Sequence, residues 1–162
     1  MLTYRQELGT RQVSVERHPI LLYDGVCGLC NRAVQFVLKR DAEGIFLFAA
    51  LQSAFAQRVL SRHQVNLSEL DTFYVVHDFD PAQPVDVHQH ESLLARSEAL
   101  VFVLRQVGGV WRWAGNLFRI VPGSLRDWLY DFVARRRYRI FGKYDSCPLP
   151  GAETRRRFLD IG

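Results

Sequence analysis

The chain has 162 residues, 48% of them hydrophobic and 23% charged, with a formal net charge of +4. That length suits one domain with a core of its own, and no apolar run approaches the ~20 residues a membrane span requires. The opening MLTYRQELGTRQVSVERH carries no apolar leader segment, so a reducing cytoplasm is expected, where three cysteines serve better as redox or metal-binding thiols than as structural disulfides.

Residues 1–17 read as a polar tail, and 18–162 as a single domain. PILLYD (Pro19–Asp24) is a short apolar run of strand length that Gly25 ends. Cys30, Ala33, Val34, Val37 and Leu38 then recur at helical spacing and predict a helix with one apolar face. GIFLFAA (Gly44–Ala50) is a second strand, and Phe55, Ala56, Val59, Leu60 and His63 mark a second helix. DTFYVVHD (Asp71–Asp78) is β-branched and aromatic, a third strand. After a proline-bearing loop, ESLLAR reads as a fourth strand. Ser97 is the expected N-cap of a helix through Leu100, Val103, Leu104 and Val107, which Gly108-Gly109 stops.

The order β-α-β-α-β-β-α predicts an α/β sandwich around a small mixed sheet. A helical extension follows from about residue 110. Trp111–Val121 is one helix; Pro122-Gly123 breaks it, and Leu125, Trp128, Leu129, Phe132 and Val133 form the stripe of another, expected to pack on the sheet domain. This extension holds the basic excess: from Val110 onward eleven Lys/Arg face five Asp/Glu. The runs ARRRYR (Ala134–Arg139) and TRRRF (Thr154–Phe158) read as solvated faces, with an anionic partner as the alternative.

Within YDGVCGLCNRAVQFVLKR, Cys27 falls at the start of the first helix and Cys30 one turn later on its apolar stripe. Free N–H groups and the positive end of the helix dipole converge on the first position, which favours a thiolate. A thiol of pKa near 8.5 is about 3% ionised at pH 7. Lowering its pKa to ~7 makes it half ionised, for roughly 2 kcal/mol of local field. Cys27 is then the expected attacking thiolate, reachable from solvent, and Cys30 the buried resolving thiol. Zinc needs two further ligands, for which Cys147, His88 and His90 are the candidates. Two inert core cysteines are the third reading.

The chain resembles the DCC family of predicted thiol–disulfide oxidoreductases, named for an Asp followed by a Cys-x-x-Cys pair. The matching residues are Asp24, Cys27 and Cys30 in LLYDGVCGLCNRAVQFVLKRD, then FLFAALQS, RSEAL, LRQVGGVW and YDFVARRRYRIFGKYDSCPLP. The resemblance implies a thioredoxin-like fold, redox activity at the cysteine pair, no dissociable cofactor, and protein or small-molecule thiols and disulfides as partners. It departs from thioredoxin itself in two places. NLSELDT lacks the proline that precedes thioredoxin's third strand, and Val26 stands where thioredoxin has Trp.

Asp24 has two readings: a proton relay for Cys30, or an acceptor of backbone N–H groups in the turn. Cys147 reads as a packing thiol or a third redox thiol. His63 and His77 read as structural, and Arg32 and Lys39 as solvated, Arg32 with a secondary role beside the thiolate. A second function of a different class is a binding module without redox chemistry, meeting a protein or an anionic membrane surface through the basic C-terminal helices. Nucleic acid is not expected, since no recognised binding module accompanies the arginines.

Overall fold

The computed structural model describes residues 17–66, 72–80, 91–145 and 151–160. The elements are β1 (His18–Tyr23), α1 (Gly28–Arg40), β2 (Leu47–Ala50), α2 (Ala54–Arg62), β3 (Tyr74–Phe79), β4 (Ser92–Ala95) and α3 (Arg96–Val107), followed by α4 (Gly109–Ile120), α5 (Gly123–Phe141) and a short 3-10 turn, Arg155–Arg157. The strands pair in the order β2-β1-β3-β4, with β1 and β2 parallel and the other pairs antiparallel. The element order along the chain agrees with the β-α-β-α-β-β-α reading, and the mixed sheet is consistent with a thioredoxin-like α/β fold.

Alternation along β1 sorts the core into two layers. Leu21 and Tyr23 join Val34 and Val37 of α1, Ala99 and Val103 of α3, and Phe48 on one face of the sheet. Ile20 and Leu22 join Ala56, Val59 and Leu60 of α2 on the other. Beyond the sheet, Phe158 stacks on Phe48 with ring centroids 5.1 Å apart. The Leu159 N–H donates to the Phe48 carbonyl at 2.9 Å, so the C-terminal segment shields the free edge of β2. Arg157 anchors that segment. Its guanidinium pairs with the buried Asp41 at the end of α1, and its Nε donates to the Phe46 carbonyl at 3.0 Å.

Two expectations are corrected here. Ser97 is not the N-cap of α3. The chain passes from β4 into α3 with no linking residue, which puts Ser97 inside the first turn, buried, where its Oγ donates to Asp127 of α5 at 2.5 Å. The second correction concerns the aromatic stripes, which do not enter the core. Trp113 is 77% and Trp128 56% exposed, and Val110, Leu117, Ile120, Leu125, Leu129, Phe132 and Val133 are exposed with them. The inward faces are occupied by other residues. Gly115 lets α4 approach α3 so closely that a Cβ there would lie 2.9 Å from the Arg105 side chain. Trp111 packs edge-on against Phe36 of α1, and α5 turns inward Arg126 and Arg137 instead of its apolar stripe.

Candidate functional site

Cys27 is the N-cap of α1. Its backbone is extended (φ −83°, ψ 122°), and its Sγ accepts the Cys30 N–H at 3.3 Å, the place an oxygen holds in an ordinary cap. The turn that presents it is tied from three sides. The Cys27 N–H donates to the Asp24 carbonyl at 3.2 Å. Asn31 Nδ2 donates to the carbonyls of Gly25 at 2.7 Å and Cys27 at 3.0 Å. The chain leaving α5 lies across the turn, with Gly28 N–H donating to the Gly142 carbonyl at 3.1 Å and Tyr144 N–H to the Val26 carbonyl at 2.8 Å. Position 28 has to be glycine for that crossing, because a Cβ would sit 2.2 Å from the Phe141 carbonyl oxygen.

Asp24 is buried beneath the pair and fully engaged. Its Oδ1 accepts from the Val26 N–H at 3.1 Å and from Gln52 Nε2 at 2.9 Å. Its Oδ2 accepts from Arg137 Nη2 at 3.1 Å and from the Tyr138 hydroxyl. The turn-acceptor role is therefore present, joined by an ion pair that the sequence did not reveal.

Arg137, only 3% exposed, is the residue sequence reasoning missed, because ARRRYR reads as uniformly solvated. Alternation of burial within such a run could have been suspected only from its helical phase: in α5 only Arg126 and Arg137 are buried, eleven residues apart and so about three turns. The Arg137 charge also reaches the sulfurs.

The Cys27 thiol is lowered to about 6. A hydrogen bond from the Cys30 side chain is the main cause, the Cys30 N–H and Arg137 add to it, and burial and Asp24 oppose it. Cys30 is pushed far up, first by its hydrogen bond to Cys27, then by burial and by the Cys27 charge. The two shifts run in opposite directions, so ionisation is favoured at Cys27 over Cys30.

Exposure reverses the expectation. Cys27 is 0% exposed, whereas Cys30 is half-buried. The cause is long-range. The Phe141–Tyr144 segment closes over the helix start, while a gap between α1, α3, α4 and α5 leaves the second cysteine facing a cavity of about 330 Å³.

The other candidates sit apart from the sulfurs. Arg32 lies over the Phe141 ring at 5.7 Å, and Lys39 is exposed near the far end of α1. His63 contacts Glu91 at 3.2 Å, and His77 contacts Asp78 at 2.7 Å while stacking on Phe102. Cys147, His88 and His90 lie outside the described residues, as does most of NLSELDT. Among the described residues no group of three His, Cys, Asp or Glu could hold a metal ion, and no helix is long and apolar enough to cross a membrane.

A family model described as DCC1-like thiol-disulfide oxidoreductase matches residues 21–143. The uncharacterized protein YuxK of Bacillus subtilis is 38% identical over 140 residues, covering 86% of this chain and 93% of that protein. A chloroplastic DCC family protein of Arabidopsis thaliana is 30% identical over 134 residues, covering 83% of this chain and 71% of that one. No solved structure matches.

Proposed function

Because the chain belongs to the DCC1-like thiol-disulfide oxidoreductase family, we propose that it exchanges thiols and disulfides through Cys27 and Cys30, with Cys27 as the attacking thiolate. The carrying observation is the capped, hydrogen-bonded sulfur pair at the start of α1. The Cys27 thiolate attacks one sulfur of a partner disulfide. That bond breaks, a mixed disulfide forms on Cys27, and the first partner thiolate leaves and takes a proton. Cys30 then surrenders its proton, attacks the Cys27 sulfur and releases the second thiol. Two electrons pass from the protein to the partner, and the reverse sequence oxidises a partner dithiol.

Access to Cys27 comes from the Cys30 side. The opposite side is closed by backbone hydrogen bonds to Gly142 and Tyr144. Asp24 positions Arg137 and the turn, and a reducing cytoplasm keeps both thiols free.

A Cys30→Ser variant offered a small disulfide should accumulate a mixed disulfide on Cys27, while Cys27→Ser accumulates far less on Cys30. The opposite ratio would reassign the nucleophile, and no adduct in either variant would remove exchange altogether.

A second reading rests on the exposed aromatic stripes of α4 and α5. Trp113, Trp128 and Phe132 stand beside Arg112, Arg119 and Arg136, the pattern of a helix pair resting on an anionic membrane surface. Contact of that kind is compatible with exchange at the sulfur pair.

A further inference from the structure

The cavity beside the dithiol has Cys30 in its wall and is otherwise almost wholly carbon, including Ala33 of α1, Phe73, Phe118 of α4, and Leu129 and Val133 of α5. Apart from the sulfur, its polar side chains are Ser97, Tyr130 and Arg126. The first two are already engaged: Ser97 donates to Asp127, and the Tyr130 hydroxyl accepts the Phe73 N–H at 2.9 Å. Arg126 is not. It is 9% exposed, its buried Nε has no hydrogen-bond partner, and no ion pair is formed by it among the described residues. A buried Nε left without an acceptor is costly, and an arginine in the wall of an apolar cavity is complementary to an anionic acceptor that arrives with an apolar body. The volume lies at the small end of ligand pockets, and the mouth merges with the exposed apolar stripe of α5 at Leu129 and Val133.

We propose that this cavity is the substrate pocket of the dithiol and that it takes a small disulfide with an apolar body and one carboxylate. The carboxylate pairs with Arg126, and the disulfide lies against Cys30 within reach of Cys27. This substrate class rests on the exchange chemistry inferred above. With a cyclic disulfide the balance is simple: the thiolate opens the ring, Cys30 resolves the mixed disulfide, and two electrons pass to the ring sulfurs, with one proton from Cys30 and one from solvent, as the Cys27–Cys30 bond forms.

Two probes separate the pocket from the chemistry. Octanoate, which has the apolar body and the carboxylate but no sulfur, should bind the reduced protein with one-to-one stoichiometry by calorimetry. Arg126→Met should weaken that binding at least tenfold, and Ala33→Phe, which fills the cavity and keeps the charge, should abolish it. Lipoate and its neutral amide then serve as disulfide substrates in single-turnover oxidation of the pair. Wild type should prefer the carboxylate by tenfold or more in second-order rate constant, and Arg126→Met should bring that preference close to one. Oxidation by bis(2-hydroxyethyl) disulfide without octanoate binding, or octanoate binding indifferent to Arg126→Met, would overturn the pocket assignment and leave exchange standing. Octanoate binding in a protein that no disulfide oxidises would overturn the exchange chemistry, and the substrate class with it.

Discussion

Around Cys27 the sulfur takes the place of a capping oxygen, and that substitution gives the residue two loads at once. It must satisfy a backbone N–H of α1, and it must hold negative charge close to the Asp24 carboxylate, which opposes that charge. Arg137 reconciles the two by pairing with Asp24 while lowering the thiol. Removing one partner of such a buried pair leaves an uncompensated charge, so Asp24→Asn and Arg137→Met should each destabilise the fold by about 3–5 kcal/mol in denaturant melts. Arg137→Met should also move the midpoint of thiolate absorbance above about 6. The pH dependence has a definite sign. A thiol depressed on folding contributes stability that is complete above its unfolded value near 8.5 and is lost as pH falls through about 6. The reduced protein should therefore lose stability relative to Cys27→Ser as pH falls across that window. The cysteine pair and Asp24 were legible in the sequence because their spacing is local. Arg137 was not, because its partner lies 113 positions away.

At the scale of elements, the chain order through α3 followed from periodicity, strand composition and turn residues, although the fourth strand was reached through the N-cap reading of Ser97 that the structure corrects. Leu21/Tyr23 against Ile20/Leu22 and the α1 and α2 stripes each encode one face. What periodicity could not encode is which neighbour covers a helix end. The start of α1 is closed by the segment that leaves α5, through the Gly28–Gly142 and Val26–Tyr144 hydrogen bonds. This closure inverted the expected exposure of the two cysteines. The same limit explains α4 and α5. Each presents an apolar stripe outward, and a stripe of the right period looks identical in sequence whether it meets a core or not. Gly28→Ala tests the closure directly. The added methyl meets the Phe141 carbonyl oxygen at 2.2 Å, so the two segments must separate, at a cost of about 1–3 kcal/mol. Hydrogen exchange at Tyr144 should quicken in the variant while β1 and β3 keep their protection.

The whole molecule divides its surface by chemistry. One end of α1 holds the buried Cys27 sulfur, and the α4–α5 side carries exposed tryptophans with interspersed arginines. The basic excess of the C-terminal third is only partly a surface property. Arg137 and Arg157 are spent on buried carboxylates, Asp24 and Asp41, and Arg126 faces the cavity beside Cys30. Composition therefore overstated the positive face available to a partner and understated the cationic character of the interior. Redox cycling of the sulfur pair is the claim on which the rest depends. Its most direct test is equilibration of the full chain in glutathione buffers of graded ratio, with mass-tag counting of free thiols at each position. Cys27 and Cys30 should lose their thiols together in one two-electron transition, which Cys27→Ser eliminates. Thiols that stay reduced at every ratio, in a protein that sediments with anionic vesicles, would contradict it and leave a binding module in its place.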